Sequence, residues 1–227
     1  TGAGIMDCKK ALVEADGDVE KAIDILREKG IAKAASKAGR VAAEGLANIE
    51  ICTKCNRAAI VEVNCETDFV SSSDKFHEFV ANVTHKILEN NPASVEEATE
   101  LTKDLFGDAT IAMGEKFVIR RFEVIDAKEG QVFGQYSHGQ GKIAALVLLS
   151  KDCGDLNKGF AMNVVSANPT YLSMDEVPAE IVERETEIAR NEVATDEKLA
   201  SKPEAVKENI IKNKVKKVLS ASCLLEQ

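Results

Sequence analysis

The hydrophobic period of this chain switches between helix and strand several times, and that alternation restricts its fold more than any other property of the sequence. Val19, Ala22, Ile23 and Leu26 recur at helical spacing behind Asp18, a residue type that caps helices by accepting backbone N–H bonds. Residues 46–52 and 58–65 are β-type runs around the polar stretch Thr53-Lys54-Cys55-Asn56-Arg57, the pattern of a hairpin. Helical spacing returns over 72–89, with Phe76, Phe79, Val80, Val83 and Ile87 facing inward. After Asn90-Asn91-Pro92 comes a second helical stretch, then a short one ending at Met113-Gly114. Residues 117–125, 131–136 and 142–150 read as a three-stranded meander with 143–149 its most buried member, and 156–165 is helical again, stopping near Asn168-Pro169. Strands grouped between groups of helices place the chain in the α+β class, with an antiparallel sheet core.

Residues 5–29 read as two short helices joined by Ala15-Asp16-Gly17, with Gly30 as a C-terminal stop. So small a pair buries little surface on its own, which implies a preceding helix or a bound partner across it. Residues 31–45, rich in Ala, Lys and Gly, read as a linker holding a helical turn. At the other end, residues 177–193 form a helix carrying Glu180, Glu183, Glu185, Glu187 and Glu192. Residues 203–219 form a basic one with Lys207, Lys212, Lys214, Lys216 and Lys217, and Pro203 suits its first turn. Ile181 and Ile188 on one helix, with Val206, Ile210, Ile211, Val215 and Val218 on the other, supply a seam for an antiparallel coiled-coil hairpin. The alternative is two helices folded onto the main core. The expected layout is thus a helical module and linker over 1–38, an α+β core over 39–175, a helical hairpin over 176–220 and the start of a return segment over 221–227.

A net charge of −9 argues against bulk binding to nucleic acid, which needs a basic surface to release counterions. No apolar run approaches the roughly 18 residues of a membrane span. The start at Thr1-Gly2-Ala3-Gly4 reads as a processed or truncated end, and the six Cys, unevenly spaced, as reduced thiols. Cys52 and Cys55 form a C-x-x-C spacing, but a zinc site needs a second such pair or added His, and only Cys65 is near in sequence. A thiol enzyme built on Cys65 with His77, His85 or His138 lacks anything that fixes a base beside the sulfur. No G-x-x-x-x-G-K-[ST] phosphate cradle occurs, so direct nucleotide binding is not expected.

Two strings stand out together. One is Thr1-Gly2-Ala3-Gly4-Ile5-Met6-Asp7-Cys8-Lys9-Lys10-Ala11-Leu12, and the other Glu62-Val63-Asn64-Cys65-Glu66-Thr67-Asp68-Phe69-Val70. In order and separation they resemble the two signature stretches of the elongation factor Ts family, exchange factors for elongation factor Tu. The likeness continues through Gly114, Ile119-Arg120-Arg121, Tyr136-Ser137-His138-Gly139 and the charged helical hairpin. The resemblance implies an N-terminal ubiquitin-associated-like helical module and a core that grips the GTPase domain of elongation factor Tu. It also implies that the family begins one helix earlier and continues past Gln227. Asp68 and Phe69 match the wedge that intrudes beside the partner's Mg²⁺, on a turn after a strand at the tip of a β-hairpin. Lys9, with Asp7 as its neighbour, matches a contact to the GTPase domain. Met113 and Gly114 match a contact pair where Ile-Gly is familiar, and His138 matches a His reaching another region of the partner. Lys158 matches a basic contact, although Gly159 follows where a His is often seen.

The resemblance further implies no enzymatic activity, no cofactor of its own, no nucleic-acid or membrane partner, and a bacterial-type cytoplasmic or organellar home. Taken without the family, Phe69 fits a core residue at a strand end, His138 a solvated turn residue and Lys9 a solvated helix residue. Two other functions remain to be weighed: an adaptor that holds a partner without altering its nucleotide affinity, and a Cys-dependent redox or metal protein.

Overall fold

The computed structural model describes residues 2–226, so Thr1 of the first motif and Gln227 of the expected return segment lie outside the described residues. Helices α1 (Ile5–Glu14) and α2 (Val19–Ser36) open the chain. Asp18 caps α2, accepting the N–H groups of Glu20 and Lys21 at 3.0 and 3.2 Å. Ala11, Ala15, Ala22 and Leu26 form a small core between the two helices. Gly30 is not the stop its residue type suggested: α2 runs on to Ser36, into the expected linker. Packing is the reason. A Cβ on Gly30 would lie 2.7 Å from both the Gly107 carbonyl oxygen and Ile111 Cδ1, so two glycines let α2 press against α5 (Val95–Met113). The surface that covers the N-terminal pair therefore comes from the chain itself.

Strands β1 (Glu44–Cys52), β2 (Arg57–Cys65) and β3 (Val118–Asp126) form an antiparallel sheet in the order β1-β2-β3. Among the described residues, strands β4 (Val132–His138) and β5 (Ile143–Leu149) pair only with each other, so the expected meander of three strands does not form. β3 instead pairs along β2, with the Arg57 guanidinium donating to the Asp126 carboxylate at 2.6 and 3.1 Å at the strand ends. β5 is the least exposed of the three runs, as expected, but β2 is buried more deeply than any of them. Ile143 is exposed, whereas β2 buries Ala58, Ala59, Val61, Val63 and Cys65. The second sheet meets the first where Ala47 N–H donates to the Gly141 carbonyl at 2.8 Å.

Helix α3 (Asp68–Ser71) leads into α4 (Asp74–Asn90), capped by Ser73 and closed by Asn91 in the left-handed region at φ 46°. The whole expected face of α4 is buried against the sheet. Phe76, Phe79, Phe106 and Phe117 meet there with ring centroids 5.0–6.1 Å apart. The two helical stretches expected before Gly114 are one continuous helix, α5, capped by Ser94 and ended by Gly114 at φ 78°. Burial of four aromatic side chains is a large share of what holds this core, since each removes apolar area worth roughly 25 cal/mol per Å² from water.

Residues up to Met162 form one compact unit and those from Asn163 a second, the division falling inside α6 (Leu156–Ala167). The N-terminal helices thus share a unit with the sheet, and residues 163–175 go with the helical hairpin. That hairpin consists of α7 (Ala179–Thr195), a short α8 (Glu197–Ala200) and α9 (Glu204–Ser220). Its seam keeps Ile181, Ile211 and Val215 of the expected set and takes its other members elsewhere. Val177, Ala189, Val193, Val215, Leu219 and Cys223 are buried, while Ile188, Val206 and Val218 are exposed. Both helices carry apolar residues on more than one face, and Ala189 is among those buried between them. Lys214 pairs with Glu192 at 2.7 Å, the acid–base attraction expected of the flanks. Residues after α9 turn back onto 170–172, with Leu224 N–H donating to the Tyr171 carbonyl at 2.9 Å.

Candidate functional site

The second motif occupies the exit of β2. Strand pairing ends at Cys65 opposite Glu44, and Thr67 caps α3, its hydroxyl accepting the Val70 N–H at 3.4 Å. Hydroxyls of Ser71 and Ser72 donate back to the Asp68 carbonyl at 3.1 and 2.8 Å, and Ser73 to that of Val70 at 2.7 Å. Val70 packs on the main core and Ser71 is buried. Between these anchors Asp68 is exposed, and Phe69 is 87% exposed. Phe69 is therefore neither a core residue nor at a hairpin tip. It sits on a short helix at the end of β2 remote from the hairpin turn, because hydroxyl-rich residues 67–73 favour local caps over further strand.

This turn is tied from a distance. Glu115, the residue after the left-handed Gly114, accepts the N–H groups of Glu66 and Thr67 at 2.9 and 3.1 Å with one oxygen, and the Thr67 hydroxyl at 2.5 Å with the other. In return the Lys116 N–H donates to Glu66 at 2.7 Å, which with Arg40 nearby holds the Glu66 carboxyl below the usual carboxylate range. Lys37, buried although charged, donates to the Gly114 carbonyl at 2.6 Å. Lys116 also reaches the carbonyls of Ala38 and Arg40 at 2.6 and 2.8 Å. On the far side Lys142 donates to Ser71 at 3.2 Å and pairs with Glu44 at 2.9 Å.

The expected contact residues fall into three places. Met113 and Gly114 lie beside the Phe69 turn through Glu115, but Met113 is half-buried against the core and offers only part of its side chain. His138, the last residue of β4 rather than a turn residue, meets the Tyr136 hydroxyl at 3.2 Å. Lys158, on α6, lies 6.0 Å over the Tyr136 ring, so Tyr136 joins the two. Asp7 and Lys9 are exposed on α1, where Asp7 lines a cavity with Ile111 of α5. The residues missed from sequence are Lys37, Arg40, Glu115, Lys116 and Lys142. No local pattern marks them, because each acts on a segment dozens of residues away.

The same geometry bears on the thiol and metal readings. Cys65 is fully buried and donates to the Thr67 carbonyl at 3.2 Å. Burial, with Glu115 nearby, pushes its thiol up to about 11, so it stays protonated and unreactive near neutral pH. Cys52 and Cys55 are disulfide-bonded, which corrects the reading of all six Cys as free thiols. Among the described residues, no cluster of three or more His, Cys, Asp or Glu is placed to hold a metal ion, and no helix is long and apolar enough to cross a membrane.

Known proteins match this sequence along the whole chain. The family model described as Elongation factor TS matches residues 66–227. Elongation factor Ts of Lactiplantibacillus plantarum is 46% identical over 233 residues, spanning all of this chain and 78% of that protein. That of Limosilactobacillus reuteri is likewise 46% identical over 233 residues, and that of Lacticaseibacillus casei 44% over 234, each with the same two coverages. Similarity of this depth, reaching from the Lys9 motif through the Phe69 turn to the helical hairpin, is that of common descent: the chain belongs to the elongation factor Ts family and is a translation elongation factor.

Proposed function

We propose that this chain is a guanine-nucleotide exchange factor that promotes GDP release from elongation factor Tu, performing no covalent chemistry and using no cofactor of its own. One observation carries the reading: a Phe that is 87% exposed on a turn whose backbone is tied down at both ends. Ordered exposure of a large aromatic side chain costs hydration free energy, and it is the property of an interface anchor. Mg²⁺ bridges nucleotide phosphates and demands near-ideal octahedral ligation, so a wedge that displaces its ligands weakens GDP binding strongly. Coupling of about 4 kcal/mol would weaken factor and nucleotide against each other roughly a thousandfold, and the same reciprocity lets incoming nucleotide eject the factor.

In this reading Asp68 and Phe69 act beside the Mg²⁺, with Met113 and Gly114 flanking them. Asp7 and Lys9 hold the GTPase domain, and His138 and Lys158 reach a second region of the partner. The action belongs to the cytoplasm of a bacterial-type cell or an organelle, with no nucleic acid or membrane involved. The decisive measurement is release of labelled GDP from elongation factor Tu: an adaptor would bind and leave the rate unchanged, which would overturn the proposal.

Glu115 provides a finer test. Glu115→Ala should lower exchange stimulation by about 1–2 kcal/mol, the loss of charge-assisted bonds to solvent-accessible N–H groups, or roughly five- to thirtyfold in rate. Glu115→Gln keeps an acceptor and should retain most of the stimulation. Equal rates for Glu115→Ala and the unaltered chain would mean that the turn needs no pin.

A further inference from the structure

One chemistry-bearing pair lies outside the Phe69 turn and all its supports. Cys52 and Cys55 bracket Thr53 and Lys54 at the far end of the β1–β2 hairpin, their sulfurs bonded and their Cα atoms 5.6 Å apart. Pairing of the strands runs to Cys52 and Arg57, and Asn56 turns the chain at φ 49°. Eight residue steps of β2, about 26 Å of strand, separate this turn from Cys65.

The two sulfurs are not equivalent. Cys52 is half-buried and packs against the edge of the main core, whereas Cys55 is exposed with the exposed Lys54 beside it. The Cys55 N–H points at Cys52 Sγ, 3.3 Å away. The turn is also anchored without the disulfide, by the two Arg57–Asp126 bonds and by Ala127 N–H donating to the Asn56 carbonyl at 2.7 Å. A bond that closes so short a loop constrains the unfolded chain little, so stability does not account for it.

We infer that Cys52–Cys55 is a thiol–disulfide exchange site, open to a small-molecule thiol at Cys55 and resolved through Cys52. A thiolate attacks Cys55 Sγ, forming a mixed disulfide as the Cys52–Cys55 bond breaks. Cys52 departs as the thiolate, with the Cys55 N–H placed to stabilise its charge, and then takes a proton from water. A second thiolate attacks the external sulfur of the mixed disulfide and releases Cys55. Two thiols are thereby oxidised to one disulfide while the protein disulfide takes up two electrons. Because the anchors at Arg57 and Asn56 do not involve sulfur, the hairpin keeps its register in both states. The inference is independent of the exchange function.

The test uses the full chain equilibrated in reduced and oxidised glutathione at graded ratios, then acid-quenched, denatured, alkylated and weighed. Of six Cys, four are free in the structure, so four alkyl groups should rise to six through one two-electron transition, with the added two at Cys52 and Cys55. Cys52→Ser removes the resolving sulfur and should trap one glutathione on Cys55, while Cys55→Ser should trap several-fold less on the half-buried Cys52. Six alkyl groups at every ratio, four at every ratio, or equal trapping in the two variants would each overturn the inference. So would stoichiometric Zn²⁺ capture by the reduced chain that prevents re-oxidation.

Discussion

Replacing Phe69 by Ala should lower the stimulation of GDP release by about 2–4 kcal/mol, roughly thirty- to a thousandfold, while leaving thermal stability nearly unchanged. The two halves of that expectation have separate origins. An exposed side chain contributes little to folding, and surface substitutions of this kind usually stay within about ±0.5 kcal/mol. An aromatic anchor entering a partner's pocket, with only two torsions to freeze, accounts for much of an interface's free energy. The backbone bonds from Glu115 to Glu66 and Thr67 do not involve the Phe69 side chain, so the turn should keep its shape in the variant. GDP-release kinetics beside melting curves would separate the two effects. Parallel losses of rate and stability would return Phe69 to the protein's own interior and sink the wedge.

Seven positions along the chain, the opposite result is expected. Phe76 is fully buried, with its ring centroid 6.1 Å from that of Phe79 and 5.8 Å from that of Phe117. Phe76→Ala leaves a cavity that the sheet on one side and α5 on the other prevent from collapsing, and should destabilise the first compact unit by about 3–5 kcal/mol. For a chain of this size that corresponds to a melting midpoint lower by roughly 6–20 °C. At temperatures where the variant stays folded, exchange stimulation should be reduced far less than by Phe69→Ala. A loss below about 1 kcal/mol in denaturant titration would show that the aromatic cluster is not tightly packed.

The contrast between these phenylalanines indicates what sequence alone can convey. The inward face of α4 was legible because its signal is local: five apolar side chains on one helical stripe, all buried in the structure. The position of Phe69 outside the core was legible only through the family motif, since an apolar residue at a strand end is ordinarily buried. What escaped depends on distant partners. The alternation in β3 and β4 says that each is a strand and not that β3 takes its place beside β2. Gly30 resembles a stop until Gly107, 77 residues later, is brought against it. Glu115 is one acidic residue among many until the end of α5 is set beside the exit of β2. The hairpin seam was legible in part: Ile181, Ile211 and Val215 lie in it, but Ile188, Val206 and Val218 do not, because apolar residues on more than one face leave the choice to packing.

Helix α5 has a place in this molecule beyond filling the core. Near its C-terminal end Gly107 seats the N-terminal pair that carries Asp7 and Lys9, and just past that end Glu115 grips the backbone ahead of Phe69. Two regions proposed to touch the GTPase are thus mounted on a single stiff rod less than three turns apart. Neither can be displaced along that rod without dragging the other, so the grip and the wedge would meet their target as one tool rather than as two independent hands.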